Sequence, residues 1–169
     1  MQPGTKPKSW GQIVSMRKDH LHICLWQPEI PQNTGSIARM CAATLNRLHL
    51  VRPFGFSVDD RNLKRAGLDY WPFLDVEIHD SIELVLNQFD NEVAFLSRHA
   101  EVSYTKIPAT TRLLVFGRET SGLPRSILAQ EAKHCYSIPM FHPGVRSLNL
   151  SNAATVVTYS LMASRGLLS

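Results

Sequence analysis

Short apolar segments alternate with helical patterns along the chain from residue 21 onward. Six segments are too continuously apolar for a half-exposed sheet, which predicts buried strands; they cover residues 21–26, 48–51, 74–78, 93–97, 112–116 and 135–138. Five predicted helices occupy residues 34–45, 59–66, 80–89, 124–130 and 149–165. This alternation predicts an α/β fold, with a mostly parallel sheet and helices on both of its faces.

Local signals indicate where several of these helices begin. Asn33 or Thr34 is expected to cap the first helix, and Asp80 to cap the third. Pro124 fits the first position of the fourth helix. If the first helix is counted from Thr34, Arg39 lies in its second turn, near the strand ends.

Composition is that of a folded single domain. The 169 residues are 44% hydrophobic and 19% charged, which excludes a disordered chain. No apolar run approaches the roughly 18 residues needed to cross a bilayer. The three cysteines are odd in number and form no disulfide framework, as in a reducing compartment. We therefore expect a soluble, cytoplasmic protein that is not associated with a membrane.

The net charge of +4 is concentrated near the start of the chain. Residues 1–20 carry a net charge of +3 and contain two prolines, and we expect them to form a flexible basic extension. Residues 21–169 are expected to form one domain with a net charge of only +1. A polyanion site in this domain must therefore come from local clustering of basic residues.

Three loops that follow predicted strands contain the candidate chemistry, since ligands of parallel sheets bind beyond the carboxyl ends of the strands. Residues 28–39 combine two prolines with a helix start. Residues 116–124 contain two glycines that permit close approach of the backbone, together with Glu119, which a plain connector does not need. Residues 138–152 contain more polar side chains than one helix cap requires, which suggests a ligand.

Taken together, these loops resemble the motifs of the SPOUT-class RNA methyltransferases. The matching segments are Pro-Glu-Ile-Pro-Gln-Asn-Thr-Gly at 28–35, Phe-Gly-Arg-Glu-Thr-Ser-Gly-Leu-Pro at 116–124, Ile-Pro-Met at 138–140, and Arg-Ser-Leu-Asn-Leu-Ser-Asn at 146–152. Arg-Ala-Gly-Leu-Asp-Tyr at 65–70 is similar to the TrmL-type branch. Enzymes of that branch methylate the ribose 2'-hydroxyl of the tRNA wobble nucleotide, which is a cytidine or a modified uridine at position 34.

The resemblance implies a C-terminal trefoil knot that forms a site for S-adenosylmethionine. Connection rules make knots essentially absent, so the hydrophobic pattern alone could not have suggested one. The positions that match the family's cofactor-binding residues are Leu96, Gly117, Ile138, Ser147 and Leu148.

The resemblance also implies catalytic roles for Arg39, Glu119 and Asn149. Arg39 matches an arginine proposed as the base that removes the hydroxyl proton. Neutralising a guanidinium at pH 7 costs roughly 7 kcal/mol. A charged Arg39 that binds the adjacent phosphate and stabilises a developing alkoxide is therefore the less costly alternative. Glu119 and Asn149 would orient Arg39 or the ribose.

The implied partners are tRNA and a second copy of the chain, because family members are homodimers with a shared active site. Candidate RNA contacts are Arg61, Lys64, Arg65 and Tyr159, although the three basic residues fit a solvated helix face and Tyr159 fits dimer or core packing equally well. The alternatives are 2'-O-methylation of another tRNA or rRNA site, and a catalytically silent RNA-binding homologue.

No metal is expected from the sequence. His20, His22 and Cys24 alternate as on one strand face, but no fourth ligand stands at zinc-like spacing.

Overall fold

A single parallel sheet of six strands organises the described part of the chain. The computed structural model describes residues 20–56 and 74–168. The strands are β1 His22–Trp26, β2 Arg47–Val51, β3 Val76–His79, β4 Val93–Leu96, β5 Leu113–Phe116 and β6 Cys135–Tyr136. They are ordered β3-β2-β1-β5-β4-β6, and every neighbouring pair is parallel. The predicted α/β class and all six predicted strands are confirmed.

Four α-helices are found in residues 20–56 and 74–168: α1 Pro31–Thr44, α2 Glu83–Leu86, α3 Arg125–Gln130 and α4 Leu150–Ser164. Two short 3-10 helices, Tyr104–Lys106 and Ala132–His134, lie in the connections. None of these helices is long and apolar enough to span a membrane.

Each face of the sheet has its own hydrophobic core. On one face, Ile23, Leu48 and Phe116 pack with Ile37 of α1 and Val157 of α4. On the other face, the side chains that alternate with these, including Cys24 and Val115, pack with residues of the α2 and α3 regions such as Val85. Strands that are buried on both faces consist of nearly continuous apolar residues, so the apolar segments of the sequence predicted their positions correctly.

The predicted caps of α1 were wrong. The helix begins at Pro31, which suits a first helical position because it has no backbone N–H to leave unpaired. Asn33 and Thr34 therefore lie inside the helix, and both are buried. The earlier start also corrects the position of Arg39, which lies in the third turn of α1 and not in the second.

Two other predicted helix starts need correction. The third predicted helix is reduced to Glu83–Leu86, and Asp80 does not cap it. Asp80 instead lies at the end of β3, where its carboxylate accepts a hydrogen bond of 2.9 Å from Arg52. Pro124 is the N-cap residue of α3 and not, as predicted, its first helical residue, because the helix begins at Arg125.

Some predictions fall outside the described residues. These are the extension over residues 1–20, except for His20, and the helix predicted at residues 59–66 together with its basic residues Arg61, Lys64 and Arg65.

Candidate active site

A cavity of about 430 Å³ lies beyond the carboxyl ends of the strands. Its walls come from the segments that follow β1, β4, β5 and β6, because parallel strands present all their carboxyl ends at one edge. The volume is within the usual range of a small-molecule site. The three loops singled out in the sequence therefore meet at one place.

The loop after β5 folds back on itself as a tight hairpin. Arg118 N–H donates to the Gly122 carbonyl at 3.2 Å, and Gly122 N–H donates to the Arg118 carbonyl at 3.0 Å. A Cβ on Gly117 would lie 2.2 Å from the carbonyl carbon of Gly122 and 2.3 Å from the nitrogen of Leu123. Gly122 has a φ of 71°, in the left-handed region. Both glycines are thus required by the closure of this loop.

Two carboxylates bind the first and second loops to each other. The Glu119 carboxylate accepts hydrogen bonds from the N–H groups of Glu29 at 2.9 Å and Ile30 at 3.2 Å. In return, the Glu29 carboxylate accepts from the Thr120 N–H at 3.0 Å and from its hydroxyl at 2.7 Å. These bonds from Thr120 lower the pKa of the Glu29 carboxyl below its ordinary value. We call this arrangement the carboxylate clamp.

Asn33 extends the carboxylate clamp to the third loop. Its amide nitrogen donates to Glu119 Oε1 at 3.0 Å, and its amide oxygen accepts a hydrogen bond of 2.9 Å from Asn149. Asn149 also caps α4, because its side-chain oxygen accepts from the Ser151 N–H at 2.9 Å. One chain of hydrogen bonds therefore joins all three loops.

The charged side chains that line the cavity are mostly basic. Arg98, Arg118 and Arg146 contribute positive charge, whereas Glu119 is the one carboxylate among the described lining residues. The Arg118 guanidinium lies 5.0 Å above the Trp26 ring. It also donates to the side chain of Gln27, whose φ of 52° is left-handed and uncommon for a residue with a side chain. This electrostatic environment suits an anionic substrate next to the cavity.

The structure brings most of the predicted site residues together. All five predicted cofactor residues line the cavity, as do Glu119 and Asn149. Arg39 and Tyr159 are exposed on α1 and α4 and are not among the described lining residues. The five predicted cofactor residues that line the cavity are Leu96, Gly117, Ile138, Ser147 and Leu148.

Two arginines of the cavity, Arg98 and Arg118, and the hydrogen-bonding role of Asn33 were not predicted from the sequence. Arg98 follows Leu96 in the exit loop of β4, and the rule that sites form beyond strand ends could have indicated it. Arg118 lies within a recognised motif, but no local pattern gives its contact with Trp26. Asn33 was interpreted as a helix cap, since caps are the commonest role of such residues.

The comparisons with known proteins agree with this geometry. Residues 20–159 match the model of the SpoU rRNA Methylase family. A Bacillus subtilis protein, provisionally named a tRNA (cytidine(34)-2'-O)-methyltransferase, is 47% identical over 147 residues, which are 84% of this chain and 91% of that protein.

Solved structures share the fold. A structure described as giving insights into the 2-OH methylation of C/U34 on tRNA has a TM-score of 0.77 and 42% identity, and the match covers 87% of this chain and 99% of that one. The SpoU methyltransferase AviRb from Streptomyces viridochromogenes, solved in complex with AdoMet, has a TM-score of 0.76. At 24% identity, covering 94% of this chain and 63% of that one, AviRb indicates similarity of fold alone.

Proposed function

The chain belongs to the SpoU rRNA Methylase family, and on this premise we propose that it methylates the wobble nucleotide of tRNA. The reaction is transfer of a methyl group from S-adenosylmethionine to the ribose 2'-hydroxyl of a cytidine or modified uridine at position 34, which leaves S-adenosylhomocysteine and releases the hydroxyl proton. The observation that carries this proposal is the convergence of three loops on one cavity. The choice of tRNA over rRNA is supported by the named activity of a relative that is 47% identical over most of both chains.

The residues of the cavity fit S-adenosylmethionine. Leu96, Ile138 and Leu150 offer apolar surface for an adenine ring, and the loop backbone at Gly117 and Ser147 offers polar groups for its edge and ribose. The Nε atom of Arg118 is also buried without a hydrogen-bond partner among the described residues, as expected of a group that serves a ligand. We assign cofactor binding to Leu96, Gly117, Ile138, Ser147 and Leu148.

When bound, S-adenosylmethionine supplies a methyl carbon that is already activated for in-line attack by a hydroxyl. The protein therefore has to align the ribose, exclude water and stabilise charge on the 2'-oxygen. We assign charge stabilisation and phosphate binding to Arg39. Glu119 and Asn149 position the loops, since both carboxylate oxygens of Glu119 accept hydrogen bonds within the carboxylate clamp and from Asn33.

We assign the C-terminal part of the chain to a trefoil knot. The path of the segment after β6 supports this assignment, because the segment contacts the loop that follows β4. The Ser137 N–H donates to the Val102 carbonyl, and the Tyr104 N–H donates to the Ser137 carbonyl, each at 2.8 Å. The chain then runs from this contact along the cavity into α4, which packs beside α1 under the sheet.

The active site is completed, in our proposal, by a second copy of the chain. Arg39 is exposed on α1 and is not among the described lining residues of its own cavity. The neighbouring α4 exposes Val156 and Tyr159 at 38% and 41%. A homodimer formed through these two helices would cover the apolar surface and could bring Arg39 to a cavity.

The tRNA contacts belong to the same proposal. Arg61, Lys64 and Arg65 supply charge for the phosphates of the anticodon loop, whereas we assign Tyr159 to the dimer interface and not to base stacking. Arg98 and Arg146 extend this positive surface to the mouth of the cavity. Because the substrate is tRNA, the location that we propose is the cytoplasm.

A labelling experiment tests this function. Purified protein is incubated with methyl-labelled S-adenosylmethionine and bulk tRNA, which is then digested with alkali. A 2'-O-methyl group blocks cleavage of its own linkage, so label is expected in alkali-resistant dinucleotides. Label in free mononucleotides would indicate base methylation and overturn the proposal.

A matched pair of RNAs tests the position. Two synthetic anticodon stem-loops carry either cytidine or 2'-deoxycytidine at position 34 and are otherwise identical. Only the cytidine form is expected to accept label. Equal labelling of both RNAs would place the reaction elsewhere in the tRNA.

A further inference from the structure

A cluster of ionisable side chains lies on the sheet at a distance from the cavity, on strands β2 and β3. In the parallel register His49 pairs with Glu77, and His79 follows two residues later, so all three side chains lie on one face. His49 Nδ1 is 2.9 Å from His79 Nε2, and Glu77 Oε2 is 3.7 Å and 3.6 Å from these two nitrogens. None of the three residues lines the cavity.

We propose that His49, Glu77 and His79 bind a divalent transition-metal ion of the zinc type. The three separations define a triangle whose centre is about 2.0 Å from each ligand atom, and bonds from zinc to histidine nitrogen and carboxylate oxygen are about 2.0–2.2 Å. Two imidazoles and one carboxylate also form a known zinc ligand set, with water in the fourth position.

The accessibility of the ligands allows an ion to enter. The His49 side chain is fully buried, that of His79 is 11% exposed and that of Glu77 is 38% exposed. His79, which is partly exposed and lies on the edge strand β3, can therefore move outward by a few tenths of an ångström without disturbing the core. Bonds of about 2.0–2.1 Å in a tetrahedral zinc site place the ligand atoms about 3.3–3.4 Å apart. The 2.9 Å edge between the two histidine nitrogens is the one that must lengthen, because the two edges to Glu77 are already long enough.

The surrounding charges favour a cation. Arg47 binds Asp75 at 2.9 Å and the Oε1 atom of Glu77 at 2.7 Å, which leaves Oε2 facing the two histidines. The two carboxylates outnumber the single guanidinium, so the net local charge is negative. Arg47 also acts as a positioning residue, because it fixes the orientation of the Glu77 carboxylate.

His22 on β1 contacts the ring nitrogen of His49 that faces away from the proposed ion. His22 Nδ1 lies 2.9 Å from His49 Nε2, and the two rings stack with centroids 5.2 Å apart. A histidine ligand commonly makes such a hydrogen bond with its second nitrogen, which fixes the tautomer. When His49 Nε2–H donates to His22, its Nδ1 retains the lone pair.

The competing interpretation is a ladder of hydrogen bonds without an ion. In that case the 2.9 Å contact between His49 and His79 is a hydrogen bond, and the three rings satisfy one another. No metal was expected from the sequence because the two imidazole ligands are 30 positions apart, and local patterns do not show that such residues meet. The role of the ion would be structural, since it would join the edge strand β3 to β2.

Metal binding to the untagged full-length chain distinguishes these interpretations. Protein treated with chelator is titrated with ZnSO4 by calorimetry, and with CoCl2 while the visible spectrum is recorded. We expect one ion per chain and the intense cobalt absorption of a four-coordinate site. Failure to bind one equivalent of either metal would overturn the proposal.

Variants test the assignment of ligands. Glu77→Gln and His79→Gln change partly exposed side chains, so the fold should persist, and each should weaken zinc binding at least tenfold. His99→Gln and His142→Gln, which change exposed histidines elsewhere, serve as matched controls with unchanged affinity. Equal zinc affinity in all four variants would mean adventitious binding and would refute the site. This outcome does not depend on methyl transfer.

Discussion

Asn33 uses both ends of its amide, donating to Glu119 and accepting from Asn149. An amide side chain presents a donor nitrogen and an acceptor oxygen on the same planar group, so it can contact both partners at once. The side chain is almost fully buried, so water cannot replace a lost partner easily. At the residue scale the arrangement of the three loops therefore depends on one functional group.

The substitution Asn33→Asp should damage the site although it preserves shape. It removes the N–H donor and places a second carboxylate about 3.0 Å from Glu119 Oε1. We expect a loss of about 1–3 kcal/mol in unfolding free energy and at least tenfold weaker binding of S-adenosylmethionine. Urea denaturation and calorimetry measure the two effects. Asn91→Asp, at an exposed position, is the control and should change neither.

Arg39→Ala should abolish methyl transfer while S-adenosylmethionine affinity stays within a few-fold of the unsubstituted protein. The physical reason is that Arg39 is exposed on α1 and is not among the described lining residues of its own cavity. Single-turnover labelling and calorimetry separate the two quantities. Arg125→Ala, an exposed change on α3, should retain full activity. Loss of cofactor binding in Arg39→Ala would contradict the assigned role.

Glu29 should make stability depend on pH in the acid range. Its pKa is lowered in the folded protein, so below the ordinary value of 4.5 the unfolded chain binds more protons than the folded one. The stabilisation by Glu29 is thus present above about pH 4.5 and is lost as pH falls through the folded pKa. Urea unfolding of the unsubstituted protein and Glu29→Gln from pH 3 to 6 should show their difference shrinking toward low pH. A constant difference would contradict this.

At the scale of the elements, the shape of the loops that form the cavity depends on close contacts between backbone atoms as much as on side chains. The hairpin after β5 closes because Gly117 has no Cβ to meet Gly122 and Leu123. The loop after β6, in contrast, is exposed throughout residues 141–149, and its glycine at position 144 approaches only the His142 ring. The two glycines should therefore respond differently to the same substitution.

Gly117→Ala should open the hairpin, since the added Cβ would lie 2.2 Å from a backbone carbon. We expect at least tenfold weaker binding of S-adenosylmethionine by calorimetry, with a lowered Tm. In Gly144→Ala the nearest atoms are side-chain atoms of His142 at 3.2 Å, which can move. That variant should bind the cofactor normally, and equal effects of the two substitutions would refute the argument.

The strands and the location of the cavity could be predicted from the sequence because buried parallel strands and their exit loops leave strong local patterns. Helix ends could not be predicted as well. Asp80 has the residue type of a cap but binds Arg52, and Asn33 has the type of a cap but binds Glu119. In both cases a partner distant in sequence overrides the local preference, and such partners are invisible to short-range patterns.

At the scale of the whole molecule, the exposed faces of α1 and α4 form the interface of the proposed dimer, and catalysis depends on that dimer. Val156 is 38% exposed and Tyr159 is 41% exposed, and they lie on one side of α4. Apolar groups in this arrangement are typical of an interface core with a polar rim. The exposed position of Arg39 on α1, which packs beside α4, makes association a requirement for catalysis in our proposal.

Val156→Asp should therefore separate the protomers without unfolding them, because the side chain is partly exposed. Light scattering should give the mass of a monomer, the circular dichroism spectrum should be unchanged, and methyl transfer should be lost. Leu84→Asp, at a position 54% exposed on α2, is the matched control and should leave mass and activity unchanged. A fully active Val156→Asp monomer would refute the shared site.

The hydrogen bond between Asn149 and Asn33 joins positions 116 residues apart. Ribosomes synthesise the chain from its amino end, so Asn33 and Glu119 emerge well before the partner that completes their network. A nascent polypeptide consequently has no finished cavity, however well its first strands have paired. The cavity is therefore completed late in synthesis, when the last helix docks, and only then can two copies of the chain assemble a full active site.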